Sequence, residues 1–396
     1  MKLSATILTL LLGGMTLHAA GQGNYTVDVQ FKNIPDSVQF TLASNEDDTN
    51  YKQKVRTLNN RLHFDIDIAE DYPTEFYLIG KNPADPKNDR FYITFYGRKG
   101  LRHTITSAAE GFSADSVTYA GAPWDASVNE LDAFRIDSNR RRRQLREERD
   151  KLLAPFDVND PNQPIEIDSI TRVKLNEKAE QIMAVQDEYM AKLHDYVMQH
   201  PESPESLSLL EFRYTDFNRD EINSIVSRIP AYMNGSPRLD FVNLIKTSPR
   251  ITVGDRLADF DLTGENFAGS KISLSQFLTP YIIVEFNSFG CGACRSAAKY
   301  ELPGFLEKYG EDVTFVSYSV DEKREQMERA HNLDNATWPS IWNGSGSRSE
   351  DCVKYGVTGY PHFFLFGPER TLMATWIGWG PEIIERQYKK ATNSIE

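Results

Sequence analysis

The chain has 396 residues, a length that corresponds to roughly two or three domains. Apolar residues make up 40% and charged residues 26%, the composition of a globular protein that buries a sizeable core. The three cysteines are too few for a disulfide-stapled scaffold, and the net charge of −13 argues against binding to nucleic acid or anionic membranes.

The amino terminus is typical of a secretory signal peptide. Lys2 precedes an apolar run from Ile7 to Leu12, and small residues occupy positions 19–21. The run is too short to span a bilayer permanently, and small residues of this kind favour cleavage. We therefore expect residues 1–21 to be removed on export, with no lipid anchor because no cysteine lies nearby. Export would place the cysteines in an oxidising compartment.

Residues 24–122 have the pattern of short β-strands. Apolar and polar residues alternate with period two in segments such as Tyr25–Phe31 and Leu62–Ile68, and turn-forming clusters separate the segments. Strands of this length and spacing predict an antiparallel, sandwich-like all-β domain. The region has no catalytic constellation, and we expect its two histidines, His63 and His103, to be exposed or half-buried.

Residues 123–249 predict a helical region. Two long helices are expected, separated by turn-forming residues at 154–164, and the second covers roughly Thr171–Gln199. Shorter helices follow. The basic run Arg140–Arg143 is followed by interleaved acids, which indicates a solvated helix with i,i+4 ion pairs rather than a binding site for an acidic partner.

Residues 250–396 predict a layered α/β domain. Strands are expected at residues 280–286, 313–319, 362–366 and 371–376, with an edge strand and turn at 270–277. Helices are expected at residues 294–309, 321–331, 348–355 and 382–392. This order implies a mixed sheet flanked by helices.

Chemistry is predicted at Cys291-Gly292-Ala293-Cys294, which closely follows a buried strand and opens a helix. Two cysteines at this spacing can close a disulfide, and helix amides and the macrodipole would stabilise a thiolate at Cys291. Cys294 lies one turn further on and is positioned to resolve a mixed disulfide. Zinc and a purely structural disulfide are alternatives, although the sequence has no second ligand pair at zinc spacing.

Several further motifs accompany the dithiol in a fixed order. They are the opening segment Val253–Leu262, the strand and turn Ser270–Phe277, the strand-to-helix segment Ile283–Arg295 and the loop Tyr355–Pro361. In this order, residues 253–396 resemble the periplasmic TlpA/ResA-like thiol–disulfide oxidoreductases. The resemblance implies a thioredoxin fold, a periplasmic location, and a redox-active disulfide with no further cofactor and no metal.

The resemblance also implies roles for three residues outside the dithiol. Glu285, six residues before Cys291, stands where thioredoxins have a buried acid, and apolar neighbours would raise its pKa and suit it to exchange a proton with the resolving thiol. Pro361 would be a cis-proline whose loop packs against the dithiol, and the backbone of Tyr360 would pair with a substrate strand. The implied partners are protein thiols and disulfides and an electron donor in the periplasm or membrane, and a homodimer is left open.

The chain departs from the family pattern beside the dithiol. Gly290 stands where the family has Trp, and Ala293 stands where Pro is usual. Both changes alter packing and rigidity, so the reduction potential is left open. Cys352, nine residues before Pro361, is expected to be a buried single cysteine, with a third redox thiol as the alternative.

The front half resembles a second group by its architecture. An all-β segment, helices and a thioredoxin-like end look, in this order, like exported proteins of the Bacteroidetes type with an N-terminal DUF4369-like domain. This resemblance supplies no function for residues 24–250, for which partner selection and dimerisation are hypotheses.

Three functions are compatible with the sequence. The leading hypothesis is an exported thiol–disulfide oxidoreductase that reduces or isomerises disulfides of exported proteins. A peroxiredoxin-type thiol peroxidase is the first alternative. Ser288 would supply the hydroxyl three residues before the reactive cysteine of that family, but Val284 stands where the family has Pro. The second alternative is a partner-binding module with a vestigial thioredoxin domain, which the intact Cys-x-x-Cys motif, Glu285 and Pro361 disfavour.

Overall fold

The computed structural model describes residues 23–35, 37–44, 51–82, 90–110, 116–156 and 167–393. The expected signal peptide, residues 1–21, lies outside them. The chain forms two compact units, one ending at Asn129 and the other beginning at Glu130. The second unit contains both the helices of the middle region and the mixed sheet that follows.

The described part of the first unit has eight strands in two four-stranded sheets. The strands are β1 (Tyr25–Asn33), β2 (Gln39–Ala43), β3 (Lys52–Arg56), β4 (Arg61–Ile66), β5 (Thr74–Lys81), β6 (Arg90–Gly97), β7 (Arg102–Glu110) and β8 (Val117–Ala120). The sheet orders are β4-β1-β7-β8 and β3-β2-β5-β6. Leu62, Phe64 and Ile66 of β4 are buried while the residues between them face solvent, the alternation that a sandwich requires.

One strand pair differs from the antiparallel arrangement that the sequence predicts. β1 and β7 are parallel, so their sheet is mixed. The chain builds the four strands of the other sheet between these two, and this path supplies the long crossover that a parallel pair requires. The sandwich-like, all-β character of the region is as predicted.

His103 on β7 is buried, so the expectation of an exposed or half-buried side chain is wrong for this residue. Its Nδ1 lies 2.9 Å from the Tyr25 hydroxyl, and its Nε2 lies 2.9 Å from an Asp125 carboxylate oxygen. These partners satisfy both ring nitrogens, which lets the ring be buried. Both are distant in sequence, so a local pattern could not indicate them. His63 on β4 is exposed beside Asp28, as expected.

Replacing His103 with alanine is expected to destabilise the first unit by about 2–4 kcal/mol, because the change opens a cavity and leaves the Tyr25 and Asp125 groups without this partner. Hydrogen exchange of peptides from β1 and β7 over a urea series measures the loss. His63→Ala is the matched control and should change stability by less than about 0.5 kcal/mol, because surface substitutions rarely do more. Equal effects of the two substitutions would contradict a stabilising role for the buried network.

In the described residues, five α-helices precede the mixed sheet. They are α1 (Asp125–Leu153), α2 (Ser169–Gln199), α3 (Pro204–Arg213), α4 (Arg219–Val226) and α5 (Pro237–Thr247). The helix predicted from Thr171 begins two residues earlier because Asp168 caps it, and the Asp168 carboxylate accepts the Thr171 amide N–H at 2.9 Å. Within the predicted basic run, Arg141 of α1 pairs with Glu188 of α2 at 2.8 Å. The run thus lies on a partly exposed helix and makes ion pairs. The Arg141–Glu188 pair, however, joins two helices, whereas the predicted i,i+4 pairs lie within one helix.

The mixed sheet has seven strands in the described residues. They are β9 (Thr263–Glu265), β10 (Lys271–Ser273), β11 (Tyr281–Asn287), β12 (Val313–Ser319), β13 (Ser340–Trp342), β14 (His362–Phe366) and β15 (Leu372–Ile377), in the order β10-β9-β13-β12-β11-β14-β15. Its helices are α6 (Gly292–Tyr300), α7 (Leu302–Tyr309), α8 (Arg324–Leu333), α9 (Glu350–Tyr355) and α10 (Ile383–Thr392).

β11 is central, with β12 parallel on one side and β14 antiparallel on the other. Separate apolar cores cover its two faces, which explains the continuous apolar pattern of these strands.

Two local features of this region differ from the sequence prediction. The single helix expected at residues 294–309 is divided into α6 and α7 at Glu301, because Pro303 lies in the first turn of α7. Proline has no N–H for the carbonyl four residues earlier and disfavours helical backbone at the residue before it. β9 and β13 are not predicted, because strands of three residues are too short to show a period.

The middle helices pack directly on the mixed-sheet part of the second unit. Val353 of α9 belongs to the helical core, and Tyr214 donates its hydroxyl hydrogen to the Cys352 carbonyl oxygen at 3.0 Å. Glu211 of α3 forms an ion pair of 2.7 Å with Arg348. The helical region therefore holds α9 just before the chain reaches the loop that precedes β14.

Candidate active site

Cys291 lies at the N-terminus of α6, after the short loop that follows β11. It forms a disulfide with Cys294, and the two Cα atoms are 5.3 Å apart. As the N-cap residue, Cys291 accepts the Cys294 amide N–H through its Sγ at 3.1 Å. The amides and the dipole at this end of the helix favour negative charge, so they stabilise a thiolate at Cys291 once the disulfide is reduced.

The two cysteines differ in their access to solvent. Cys294 is 1% exposed, whereas Cys291 is only partly buried and its neighbours Gly290 and Gly292 are exposed. A Cβ added at either glycine would meet no atom within 4 Å, so the surface beside Cys291 is unobstructed. A sulfur atom of another molecule can therefore approach Cys291 from solvent, while Cys294 is shielded.

Asp321 supports the loop that carries Cys291. Its carboxylate accepts the Phe289 amide N–H and the Ser319 hydroxyl, both at 2.9 Å, and its carbonyl oxygen accepts the Trp342 ring N–H at 2.7 Å. Asp321 follows β12, the parallel neighbour of β11, and therefore lies at the same end of the sheet as the loop. The sequence analysis did not predict a role for Asp321. An acidic residue two positions after a buried strand could have indicated one, because the ends of neighbouring parallel strands lie together.

Glu285 on β11 is 2% exposed. One carboxylate oxygen accepts the Asn287 side-chain N–H at 3.0 Å and the Ser317 hydroxyl at 3.3 Å, and the other has no hydrogen-bond partner among the described residues. Burial raises the pKa of Glu285 to about 7, and the Asn287 hydrogen bond and the Arg295 charge limit that rise. The carboxyl group therefore changes its protonation near neutral pH, as a group that exchanges protons at that pH must.

An ion pair on the side of the sheet that α6 covers, which is also the side of Glu285, was not indicated by the sequence motifs. Arg295, the residue after Cys294, has its Nη1 2.8 Å from a carboxylate oxygen of Asp334, at the end of α8. Burial raises the pKa of Asp334 to about 6, and the Arg295 charge opposes the rise. Both side chains act electrostatically on Glu285, Arg295 lowering and Asp334 raising its pKa.

The Tyr360–Pro361 peptide bond is cis. β14 begins at the next residue, opposite Phe286 near the end of β11, so Pro361 lies at the same end of the sheet as the Cys291 loop. The Pro361 carbonyl oxygen accepts the Gly378 amide N–H at 2.8 Å, which ties this loop to the segment after β15. Tyr360 is half-buried and packs against one of the two cores.

Cys352 on α9 is fully buried and is not part of a disulfide. Burial raises the pKa of its thiol to about 11, so almost none of it is thiolate at neutral pH. The geometry thus favours the prediction of a packed single cysteine over that of a third redox thiol.

In the reduced native chain, we expect Cys291 to react with iodoacetamide at least about 100-fold faster than Cys352, because alkylation requires an accessible thiolate. Mass spectrometry of the labelled peptides over time measures both rates in one sample. Unfolding in urea should remove the difference, which serves as the control. Native alkylation of Cys352 at the rate of Cys291 would favour the third redox thiol.

The described residues contain no group of three or more His, Cys, Asp or Glu side chains that could hold a metal ion. Within the same ranges, no helix is both long and apolar enough to cross a membrane. The zinc alternative for Cys291 and Cys294 therefore finds no further ligands in this part of the chain.

Part of this chain is similar to several solved structures. The thioredoxin domain of a thiol-disulfide oxidoreductase from Bacteroides vulgatus is 23% identical, and the match covers 36% of this chain and 99% of that one with a TM-score of 0.31. A thiol-disulfide oxidoreductase from Bacteroides fragilis is 22% identical over 35% of this chain and 99% of its own, with a TM-score of 0.31. A thiol:disulfide interchange protein from a Bacteroides species is 23% identical. This match covers 37% of the present chain and 91% of the other chain, again with a TM-score of 0.31.

Residues 251–393 have a thioredoxin-like fold. At 22–23% identity, the likeness to these proteins concerns the fold alone. No protein-family model matches the chain, and no curated protein matches it. The DUF4369-like assignment of residues 24–122 therefore stays a prediction.

The thioredoxin-like domain contains every site residue that the sequence predicts. Cys291 and Cys294 are joined directly, Glu285 lies on the strand that leads to them, and the loop of Tyr360 and Pro361 lies at the same end of the sheet. The roles of these residues follow from chemistry rather than from position alone, and they are proposed below.

Proposed function

We propose that this chain is an exported thiol–disulfide oxidoreductase that reduces or isomerises disulfides of exported proteins. The observation that carries the proposal is the Cys291–Cys294 disulfide at the N-terminus of α6, with the first cysteine reachable from solvent and the second buried. A purely structural disulfide needs no such asymmetry, whereas a dithiol that first attacks and then resolves does.

In the first step, the Cys291 thiolate of the reduced chain attacks a disulfide of the substrate. A bond forms between Cys291 and one substrate sulfur, the substrate S–S bond breaks, and the other sulfur leaves as a thiolate that takes a proton from water. The helix N-terminus supports this step because it stabilises the attacking thiolate near neutral pH.

In the second step, Cys294 resolves the mixed disulfide. The Cys294 thiol gives its proton to the Glu285 carboxylate, and the resulting thiolate attacks the Cys291 sulfur. The Cys291–Cys294 bond forms, the bond to the substrate breaks, and the substrate leaves as a thiolate. Two electrons have then passed from the dithiol to the substrate, and a periplasmic or membrane thiol donor returns two electrons to the disulfide for the next cycle.

The substrate is a protein whose extended backbone pairs with Tyr360 in the loop before β14, as in strand addition to an exposed edge. The position of Pro361 at the same end of the sheet as Cys291 supports this role, because a strand bound there would present its sulfur to the dithiol. A periplasmic location, processing of residues 1–21, and partner selection or dimerisation through residues 24–249 are parts of the same proposal.

The test is the reduction of insulin disulfides by dithiothreitol, followed by turbidity, with the full chain as catalyst. We expect the wild-type chain to accelerate the reaction and the Cys291→Ser chain to leave it at the uncatalysed rate. No acceleration by the wild-type chain would contradict the proposal. Rapid consumption of hydrogen peroxide by the reduced chain would favour the peroxidase alternative instead.

The direction of electron flow is decided by the reduction potential of Cys291 and Cys294. A value near about −270 mV would indicate a reductant, and one near about −120 mV would indicate an oxidant. Equilibration of the chain with glutathione buffers of defined composition, followed by alkylation and mass spectrometry, measures it.

A further inference from the structure

Three charged side chains from distant parts of the chain form a cluster on one side of the mixed sheet, because α6 shares an apolar core with Ile283 and Phe363, which lie on the same face as Glu285. Glu285 comes from the central strand β11, Arg295 from α6 one residue after Cys294, and Asp334 from the end of α8. The side chains of Glu285 and Asp334 are both less than a tenth exposed, and that of Arg295 is 20% exposed. Charges at such depth cost free energy unless they compensate one another.

The compensation inside this cluster is incomplete. Arg295 and Asp334 form an ion pair of 2.8 Å, but the guanidinium nitrogens are buried and make no hydrogen bond with good geometry in the described residues. One oxygen of Glu285 is likewise buried without a hydrogen-bond partner in this part of the chain. The positive charge of Arg295 therefore acts on two acids, Asp334 and Glu285. The ion pair itself is formed with Asp334.

The net charge of the cluster consequently depends on Glu285. With Glu285 protonated, Arg295 and Asp334 balance each other and the buried cluster is neutral. When Glu285 loses its proton, the cluster carries one uncompensated negative charge, which is unfavourable in a buried environment. Asp334 thus opposes ionisation of Glu285 by its own charge and by occupying Arg295, whereas Arg295 favours ionisation.

The other groups that face Glu285 in the described residues do not change charge near neutral pH. Asn287 lies on the same strand, Ser317 comes from β12 and also accepts the Trp338 ring N–H at 2.8 Å, and Phe363 lies opposite on β14. The titratable His362 is next to Phe363 on β14, but its ring packs on Phe364, on the other face of the sheet. The charged groups acting on Glu285 are therefore Arg295 and Asp334.

We propose that Arg295 and Asp334 are positioning residues whose ion pair sets the pH at which Glu285 accepts the Cys294 proton. This inference rests on the proposed function, because it presupposes the proton step between Cys294 and Glu285. It assigns a role to two residues that touch neither the substrate nor the reacting sulfurs.

The test is a titration of the Glu285 carboxyl carbon by ¹³C NMR in the oxidised full-length chain, in which neither Cys291 nor Cys294 titrates. The resonance is assigned by its loss in Glu285→Gln. We expect Asp334→Asn to lower the midpoint and Arg295→Gln to raise it, each by at least about one pH unit, because one adjacent charge shifts a carboxyl group by about 1–3 units.

Conservative and matched variants keep the test decisive. Arg295→Lys retains the positive charge and should return the midpoint towards the wild-type value, and an Arg295→Gln/Asp334→Asn double variant should lie between the single variants. Glu350→Gln makes the same change of charge at an exposed pair with Lys354 and should leave the midpoint unchanged. The pH profile of mixed-disulfide resolution should move in the same direction as the NMR midpoint in every variant.

A failure of this inference can be distinguished from a failure of the proposed function. Midpoints that stay unchanged, or that shift in the same direction in Asp334→Asn and Arg295→Gln, would contradict the inference while insulin reduction by the wild-type chain upholds the proposed function. A wild-type chain that does not exchange disulfides, or a Glu285→Gln chain that resolves mixed disulfides at the wild-type rate over all pH values, would contradict the proton step and with it the inference.

Discussion

Replacing Cys294 with alanine is expected to trap the chain in mixed disulfides with its protein substrates, and replacing Cys291 with alanine is expected to yield none. In Cys294→Ala, the partly exposed Cys291 thiolate can still attack, but the resolving thiol of the motif is missing and the Cys352 thiol is fully buried on α9, so no thiol displaces the substrate. In Cys291→Ala, the two remaining thiols are buried, with Cys294 1% and Cys352 0% exposed, and a substrate sulfur does not reach them. Non-reducing electrophoresis after incubation with disulfide-containing proteins, followed by mass spectrometry of the adducts, measures the trapped fraction.

Cys352→Ala is the matched control for the trapping experiment. It removes the third cysteine of the chain, which is fully buried, and it should neither trap substrates nor lower insulin reduction. Equal trapping by Cys291→Ala and Cys294→Ala would contradict the assigned order of attack and resolution. Trapping that disappears when Cys352 is also removed would transfer the attacking role to that thiol.

Replacing Glu285 with glutamine is expected to stabilise the oxidised chain by roughly 3 kcal/mol above pH 8 and hardly at all near pH 4. The pKa of Glu285 is raised in the folded chain from its ordinary value of 4.5 to about 7, mainly by burial. Below pH 4.5 both states hold the proton, so the carboxyl group carries no penalty. Between about pH 4.5 and 7 the folded chain holds a proton that the unfolded chain has lost, so the free energy of unfolding falls as the pH rises.

Urea unfolding of the Gln variant and the wild-type chain at pH 4, 6 and 8.5 measures this difference. Glu350→Gln is the control, because its side chain is 58% exposed and should show no comparable dependence on pH. A difference between the Glu285→Gln and wild-type chains that is the same at all three values would show that Glu285 ionises alike in the folded and unfolded states.

The same substitution should slow the resolution of the mixed disulfide. A glutamine side chain cannot accept the Cys294 proton, and the loss of a general base typically costs about 10²-fold or more in rate. Quenched-flow measurement of substrate release from a preformed mixed disulfide isolates this step from the first attack. A Glu285→Gln chain that is more stable but resolves the mixed disulfide more slowly would indicate that the buried acid serves the reaction at the expense of stability.

The parts of the fold that could be predicted from the sequence are those with a local signal. β12 at Val313–Ser319 coincides with its predicted range, because a seven-residue apolar run is long enough to indicate a strand buried on both faces. The Cys291–Cys294 motif could equally be recognised from the sequence, since its two residues are one helical turn apart and closely follow such a strand. Where the signal was shorter, as in the three residues of β13, or where Pro303 divided a helix, the prediction was incomplete.

The parts that could not be predicted depend on contacts between residues far apart in the chain. Asp321 reaches the Cys291 loop only because β12 lies beside β11, and Arg295 pairs with Asp334 only because α6 and the end of α8 meet. In the first unit, His103 is buried for the same kind of reason, since its partners come from β1 and from the start of α1. No spacing rule within one segment contains this information.

By itself, the sequence determined a layered α/β domain in the last third and the identity of the dithiol, because strand periodicity and the Cys-x-x-Cys spacing are properties of neighbouring residues. The thioredoxin-like topology and the candidate acid Glu285 were implied by the resemblance of these motifs to a known family. Only the tertiary structure decided which cysteine is reachable, how deeply Glu285 is buried and which charges surround it. The reason is physical: solvent access and pKa depend on the three-dimensional environment, and several elements that are distant in sequence contribute to it.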